Sequence, residues 1–215
     1  MTIPSDSRAS FGTSLRRSYK TAAARRNLIA ETAVPRPGAS WKLSVMNSDV
    51  QTRLHVTVAS DADRDVLERL WVMFSHDLSQ YNHALPDHDG RFRQERLDAA
   101  LGGETGWVAR LIHLGGSPVG FAVLRALDNS PHVINSFFLV HGARRRGIGT
   151  LTVKCIVEEF PGRWSVAFQD TNEPAAAFWQ RVCNSIDPAA MKEHRPVPGR
   201  PELRPDTWIE FTVRG

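Results

Sequence analysis

The sequence is poor in cysteine: Cys155 and Cys183 are its only two, and neither has a second Cys or a His at ligand spacing. That excludes a disulfide framework and the usual zinc patterns, so no metal is expected, and a reducing cytoplasm is the expected compartment. Long apolar runs are also missing. None approaches the roughly 18–20 residues that a bilayer span requires, so no membrane association is expected. The first residues scatter Arg8, Arg16, Arg17, Lys20, Arg25 and Arg26 among Ser and Ala with no apolar stretch behind them, unlike a secretory leader. Finally, the body lacks a charge of one sign. Residues 1–50 hold eight Lys/Arg against three Asp/Glu, or +5, and the remainder 19 against 20, or −1. The basic excess belongs to the N-terminal fifty residues, so a nucleic-acid partner for the body is not expected.

Residues 1–50 contain Pro35, Arg36, Pro37 and Gly38 and no long apolar periodicity. Three readings fit them: a flexible basic extension with a short helix over 18–33, a true translation start at Met46, or an arm that binds a partner or nucleic acid. Residues 51–215 are expected to form the domain.

Within that body, Leu54, Val56 and Val58 alternate with polar residues as a half-buried strand does. Ser60 or Asp61 is placed to cap a helix with Val66, Leu67, Leu70, Trp71 and Phe74 on one face. A polar loop over 81–90 and a short helix over 92–101, closed by Gly102 and Gly103, follow. Strands are expected over 107–114, 119–127 and 132–140, separated by Gly-Gly-Ser-Pro and Asp-Asn-Ser-Pro turns. The run Phe137-Phe138-Leu139-Val140 is apolar enough for a central strand covered on both faces. A helix to Phe160, a strand over 164–168, a helix over 173–182 and a closing hairpin containing Trp208, Ile209, Phe211 and Val213 complete an α/β domain on one mixed sheet.

The chemistry points to Arg144-Arg145-Arg146-Gly147-Ile148-Gly149, set between an apolar strand and a helix. A helix start exposes about four unpaired amides at the positive end of its dipole. Glycines let a phosphate approach that backbone, and arginines add charged donors. This reads as a pyrophosphate cradle, although a solvated arginine turn has the same composition. No Gly-Lys-Ser/Thr follows, which excludes a Walker loop, and Thr152 stands where the dinucleotide fingerprint has its third glycine.

Arg144, Gly147 and Gly149 match the Arg/Gln-x-x-Gly-x-Gly/Ala signature of the GNAT acetyltransferases. Asn172-x-x-Ala175-x-x-Phe178-Trp179-x-Arg181 resembles that family's second signature. The sequence over about 53–215 thus resembles a GNAT N-acetyltransferase, and "FFLVHGARRRGIGT" and "FWQRV" look like a bacterial branch of it. The resemblance implies a GNAT-type mixed central sheet with helices on both faces and acetyl-CoA as cosubstrate. It places Arg144, Arg145, Arg146, Gly147, Ile148, Gly149 and Thr150 at the pyrophosphate. Leu139 and Val140 would offer backbone groups to the pantetheine arm, and Asn172 would touch the coenzyme. It implies direct acetyl transfer to an amine, most simply a small molecule, with a homodimer as a frequent state. The alternatives are a coenzyme A-binding regulator without activity and a nucleic-acid-associated protein that acts through the basic N-terminal arm.

Two groups common in the family are missing. Trp179 replaces a Tyr that protonates the departing thiolate, so Trp179 is expected to be packing. Ser136, after Asn135, replaces a Glu that acts as base, and neither residue accepts a proton near neutrality. The base is therefore sought around the first helix–helix loop, among His76, Asp77, Tyr81, His83, Asp87, His88 and Asp89, with His76 and Asp77 favoured. The acidic members suggest a mouth that attracts a cation. His113 and His132 are expected to be structural.

Overall fold

The computed structural model describes residues 53–197 and 204–215, so everything expected of residues 1–50 lies outside the described residues. Strand β1 (Leu54–Val58) runs into a 3-10 turn over Asp61–Asp63. The Asp63 carboxylate accepts from the Ser60 amide at 2.9 Å and the Ser60 hydroxyl at 3.0 Å, the start signal read from Ser60. Helix α1 (Arg64–Asn82) then continues through Tyr81 and Asn82, into the stretch expected to be loop, and ends on His83 in the left-handed conformation. Helix α2 (Glu95–Leu101) starts three residues later than its apolar pattern suggests. The Trp71 indole donates to the Arg93 carbonyl at 2.9 Å, which holds that segment outside the helix.

Strands β2 (Val108–Leu114), β3 (Ser117–Arg125) and β4 (His132–Leu139) form an antiparallel meander with β1. Helix α3 (Ile148–Glu158), strand β5 (Gly162–Phe168), helix α4 (Glu173–Ile186) and strands β6 (Met191–Arg195) and β7 (Asp206–Val213) follow. Helix α4 outruns its expected end at Val182 because Cys183 and Ile186 extend the apolar face that packs on the sheet. The described strands make one sheet in the order β1-β2-β3-β4-β5-β7-β6, and only β4 and β5 are parallel.

Helices cover both faces, as the alternation of strand residues requires. On one face Leu67, Leu70, Trp71 and Leu97 from α1 and α2 pack on Leu111, Phe121, Val123 and Phe138. On the other, Val153, Ile156, Val157, Trp179, Val182 and Cys183 from α3 and α4 pack on Leu124, Ile134, Trp164, Ile209 and Phe211. Strand β4 lies at the centre of the sheet, as its apolar density suggested.

Two irregularities of β4 shape everything that follows. Leu124 pairs with Ile134 but Val123 pairs with Ser136, so Asn135 is a β-bulge with no partner on β3. The extra residue turns Ser136 to the α1/α2 face and Phe137 to the α3/α4 face. The parallel pairing with β5 covers only His132–Trp164, Val133–Ser165 and Ile134–Val166, whereas β5 continues on β7 through Phe168. Beyond Ile134 the two central strands part, and the edge of β4 from Asn135 to Leu139 faces an open gap.

Candidate active site

The gap is a break in an otherwise paired ladder, so its edge carries backbone groups that need partners. The Val140 amide donates to the Val119 carbonyl at 2.8 Å, which fixes the phase of the strand. Antiparallel alternation then turns residues 136, 138 and 140 toward β3, and Phe137 and Leu139 toward the gap. Of the two backbone positions expected at the pantetheine arm, Leu139 faces the gap. Val140 corrects the expectation, because its amide is already committed across the sheet. Phe137 is the residue that the sequence reading missed. Its signal was present in the apolar run, but the bulge that sets its direction is not visible in a pattern.

At the end of β4 the chain folds over itself to open the cradle. The Ala143 amide donates to the Val140 carbonyl at 2.9 Å and the Arg144 amide to His141 at 3.1 Å. Arg145 and Gly147 then take left-handed conformations, φ 59° and 78°. A left-handed Gly147 before the right-handed Ile148 makes successive amides line a concave anion-binding nest. Among the described residues, the first amide after Arg144 to close on a backbone carbonyl is Leu151, on Gly147 at 3.1 Å. The amides of residues 145–150 are thus available together at the positive end of α3.

Gly149 shows why the signature needs a glycine there. A Cβ at that position would lie 3.0 Å from the Phe178 ring and 3.5 Å from Leu139. Phe178 is held in turn by a stack on Phe137, with centroids 5.7 Å apart and planes within 9°. Asn172 contributes from behind: its side-chain oxygen caps α4 by accepting from the Ala175 amide at 3.2 Å. The Asn-x-x-Ala spacing therefore fixes the helix that brings Phe178 to the cradle. Thr152, in place of a third glycine, is buried and donates to the Ile148 carbonyl at 2.9 Å.

The three arginines divide. Arg145 and Arg146 are exposed beside the cradle, and Arg144 is turned back from it. Arg144 Nε donates to the Leu139 carbonyl at 2.6 Å, its NH2 group donates to Asp77 at 2.6 Å, and its guanidinium lies 5.5 Å from the Phe138 ring centre. Arg144 thus ties α1 to the end of β4. The structure brings Asp77, not His76, to this place. His76 is exposed on the outer stripe of α1 with Met73 and Gln80, one helical step away from the inward face.

Tyr81 is half-buried at the end of α1, and His83, Asp87, His88 and Asp89 are exposed. The Asp77 carboxylate is matched by Arg144, and that of Asp89 accepts from the Arg91 amide at 3.0 Å. Of the three acids of the expected cation-attracting mouth, Asp77 is paired with Arg144 and Asp89 lies 3.7 Å from the Arg91 guanidinium, while Asp87 has no ion pair among the described residues. His132 Nδ1 lies 3.0 Å from the Ala126 carbonyl with its ring against Trp164. Neither thiol is poised as a nucleophile. Burial pushes Cys183 up to about 12, and burial and then Glu158 and Glu159 raise Cys155.

Trp179 is buried, edge-on to both Phe137 and Phe178. Trp179→Phe is expected to cost about 1–2 kcal/mol in urea denaturation, less than a truncation to Ala, and to change turnover less than about threefold. A hundredfold fall in turnover at unchanged coenzyme affinity, about 2.7 kcal/mol of barrier, would assign the indole a role at the thiol instead.

The model of the acetyltransferase (GNAT) family matches residues 65–184 of the chain, over half its length. No curated protein matches it by sequence. Among solved structures, an acetyltransferase from Thermus thermophilus has a TM-score of 0.56 at 17% identity, over 75% of this chain and 97% of that one. The ribosomal L7/L12 alpha-N-protein acetyltransferase RimL, solved with coenzyme A, has 0.56 at 14%, over 76% and 96%. Spermidine N-acetyltransferase from Vibrio cholerae, solved with coenzyme A and spermine, has 0.54 at 9%, over 75% and 96%. At such identities the likeness is one of fold.

Proposed function

The chain belongs to the acetyltransferase (GNAT) family, with acetyl-CoA as its cosubstrate, and on that premise we propose that it transfers acetyl directly to the amine of a small molecule. The observation that carries this is the open edge of β4 running straight into the α3 cradle. Acetyl-CoA supplies an activated acyl group, a thioester. Gly147, Ile148, Gly149 and Thr150 offer their amides to the pyrophosphate, and Arg145 and Arg146 add charge beside it. The amides of Phe137 and Leu139 are the donors available to a carbonyl oxygen lying in the gap. One preorganised donor of this kind is worth roughly 3 kcal/mol of barrier. Arg144, Asp77 and Asn172 position these groups rather than react.

The reading takes the two substrates together in a ternary complex, because neither cysteine carries an accessible thiolate near neutrality. A thiol with a pKa near 8.5 leaves readily as thiolate, so no strong acid is required at Trp179. Thiol release from acetyl-CoA with a panel of small amines tests the reading: release should require an amine. A panel that gives none, with coenzyme A bound, would favour the regulator alternative.

Water is the proton acceptor in this arrangement, since His76 faces outward and Asp77 is bonded to Arg144. The expected profile of kcat/KM therefore climbs with deprotonation of the amine and has no limb between about pH 6 and 7.5. His76→Ala should leave it unchanged. Asp77→Asn should raise KM for acetyl-CoA severalfold, by loosening Arg144, with a smaller effect on kcat. A limb near neutrality that disappears in His76→Ala would overturn this assignment and make His76 the base.

A further inference from the structure

On the α1/α2 side of the sheet, below the point where β4 and β5 part, lies a cavity of about 280 Å³. Its walls include Arg125, Val133, Ser165, Arg195 and Trp208, with the turn residues Asn129 and Ser130. Val133 and Ser165 are partners on β4 and β5, one step before the pairing ends. The cavity thus adjoins the base of the gap, on the face opposite α3 and α4.

Two of its polar groups lack what they need. Ser165 has no exposed surface, and its hydroxyl has no hydrogen-bond partner among the described residues. An orphaned hydroxyl in that position is destabilising unless something partners it. Arg125 has no ion pair among the described residues, while burial, and then the like charge of Arg96, lower its pKa. Arg195 differs. It is bonded to Glu193 and Glu210 and lies 4.8 Å over the Trp208 ring, so its charge is already used. Among the described residues the cavity's lining presents one unmatched guanidinium and one unmatched hydroxyl, both able to donate, and includes no acidic side chain. Asp206, half-buried on the same face of β7 as Trp208, stands outside that lining.

We infer that the cavity seats a carboxylate of the acceptor, so that the substrate is an amine that also carries an acid group. This rests on the reading of the gap as the place of acetyl transfer. Arg125 binds the carboxylate through its planar fork and Ser165 donates the second contact. The open edge starts two residues beyond Val133 and reaches Phe137 four residues beyond. At about 3.3 Å per residue, amine and carboxylate are roughly 7–13 Å apart. That suits an amino acid with a short methylene chain. A second ammonium in the carboxylate's place would meet Arg125, so diamines are poor substrates.

Three acceptors of equal length test this: ω-aminohexanoate, its amide, and hexamethylenediamine. In the wild type, kcat/KM for the carboxylate should exceed that for the amide at least tenfold, and the diamine should be the poorest. Arg125→Gln should erase the difference between carboxylate and amide, and Ser165→Ala should reduce it. Equal rates for all three, or a preference that survives Arg125→Gln, would overturn the inference. Binding is read separately by calorimetry with ω-aminohexanoate in the presence of coenzyme A. Wild-type binding that weakens at least tenfold in Arg125→Gln supports the site even if no acetyl is transferred, an outcome that would count against the acetyl-transfer reading alone. No binding, or equal binding by both proteins, overturns the site itself.

Discussion

Gly147→Asp is expected to weaken coenzyme A binding by a hundredfold or more while the fold persists. Gly147 sits at φ 78°, where a Cβ costs about 1–2 kcal/mol, although Asp tolerates this region better than most residues. The larger effect is electrostatic. The new carboxylate stands at the positive end of α3, where it can accept from the amides that the pyrophosphate needs and repels the phosphates as well. Gly147→Ala separates the two causes, since it adds the Cβ without the charge, and should lose much less. Calorimetry with coenzyme A measures both variants, and thermal unfolding establishes that they are folded. A folded Gly147→Asp protein with unchanged affinity would mean that the 145–150 turn does not hold the phosphates.

The largest expected effect on stability lies at the other end of α3. Arg110 projects from β2 and is 6% exposed. Its guanidinium donates to Glu159 at 2.5 Å and lies 6.0 Å from the centre of the Phe160 ring, and its Nε has no partner among the described residues. Glu159→Ala leaves that cation buried and uncompensated, which is expected to cost about 3 kcal/mol, toward the lower end for a broken buried pair because Glu159 is itself partly exposed. Arg110→Met removes the charge and fills similar space, so it should be close to neutral. The double variant Arg110→Met with Glu159→Ala should recover most of the loss. Urea denaturation of the three proteins gives the comparison. A neutral Glu159→Ala would show that water already reaches the guanidinium.

The order of elements was legible because periodicity and turn chemistry are local: Ser60 before α1, Gly115-Gly116 between β2 and β3, and Pro161-Gly162 after α3 are read in place. The cradle was legible for the same reason, since a strand, a glycine turn and a helix start are consecutive in sequence. What escaped depends on distant partners. Arg144 turns away from the cradle because Asp77, 67 residues earlier, and the Leu139 carbonyl hold it. The separation of His76 from Asp77 follows from which side of α1 meets the sheet. The bulge at Asn135 is a matter of register against Val123 and Leu124, and no spacing in β4 announces it. Ser165 looked like an ordinary strand residue, and its unmatched hydroxyl appears only once Val133 and Arg125 stand beside it.

The most direct measurement of the central claim is a single-turnover experiment with acetyl-CoA labelled in the acetyl group. Enzyme and labelled acetyl-CoA are mixed without an amine, quenched, and analysed for label on the protein; an acceptor amine is then added to a parallel sample. Direct transfer predicts no label on the protein at any time, and label on the amine alone after its addition. Label bound to the protein at one equivalent, and passed to the amine when it is added, would contradict the account and require an acetylated enzyme.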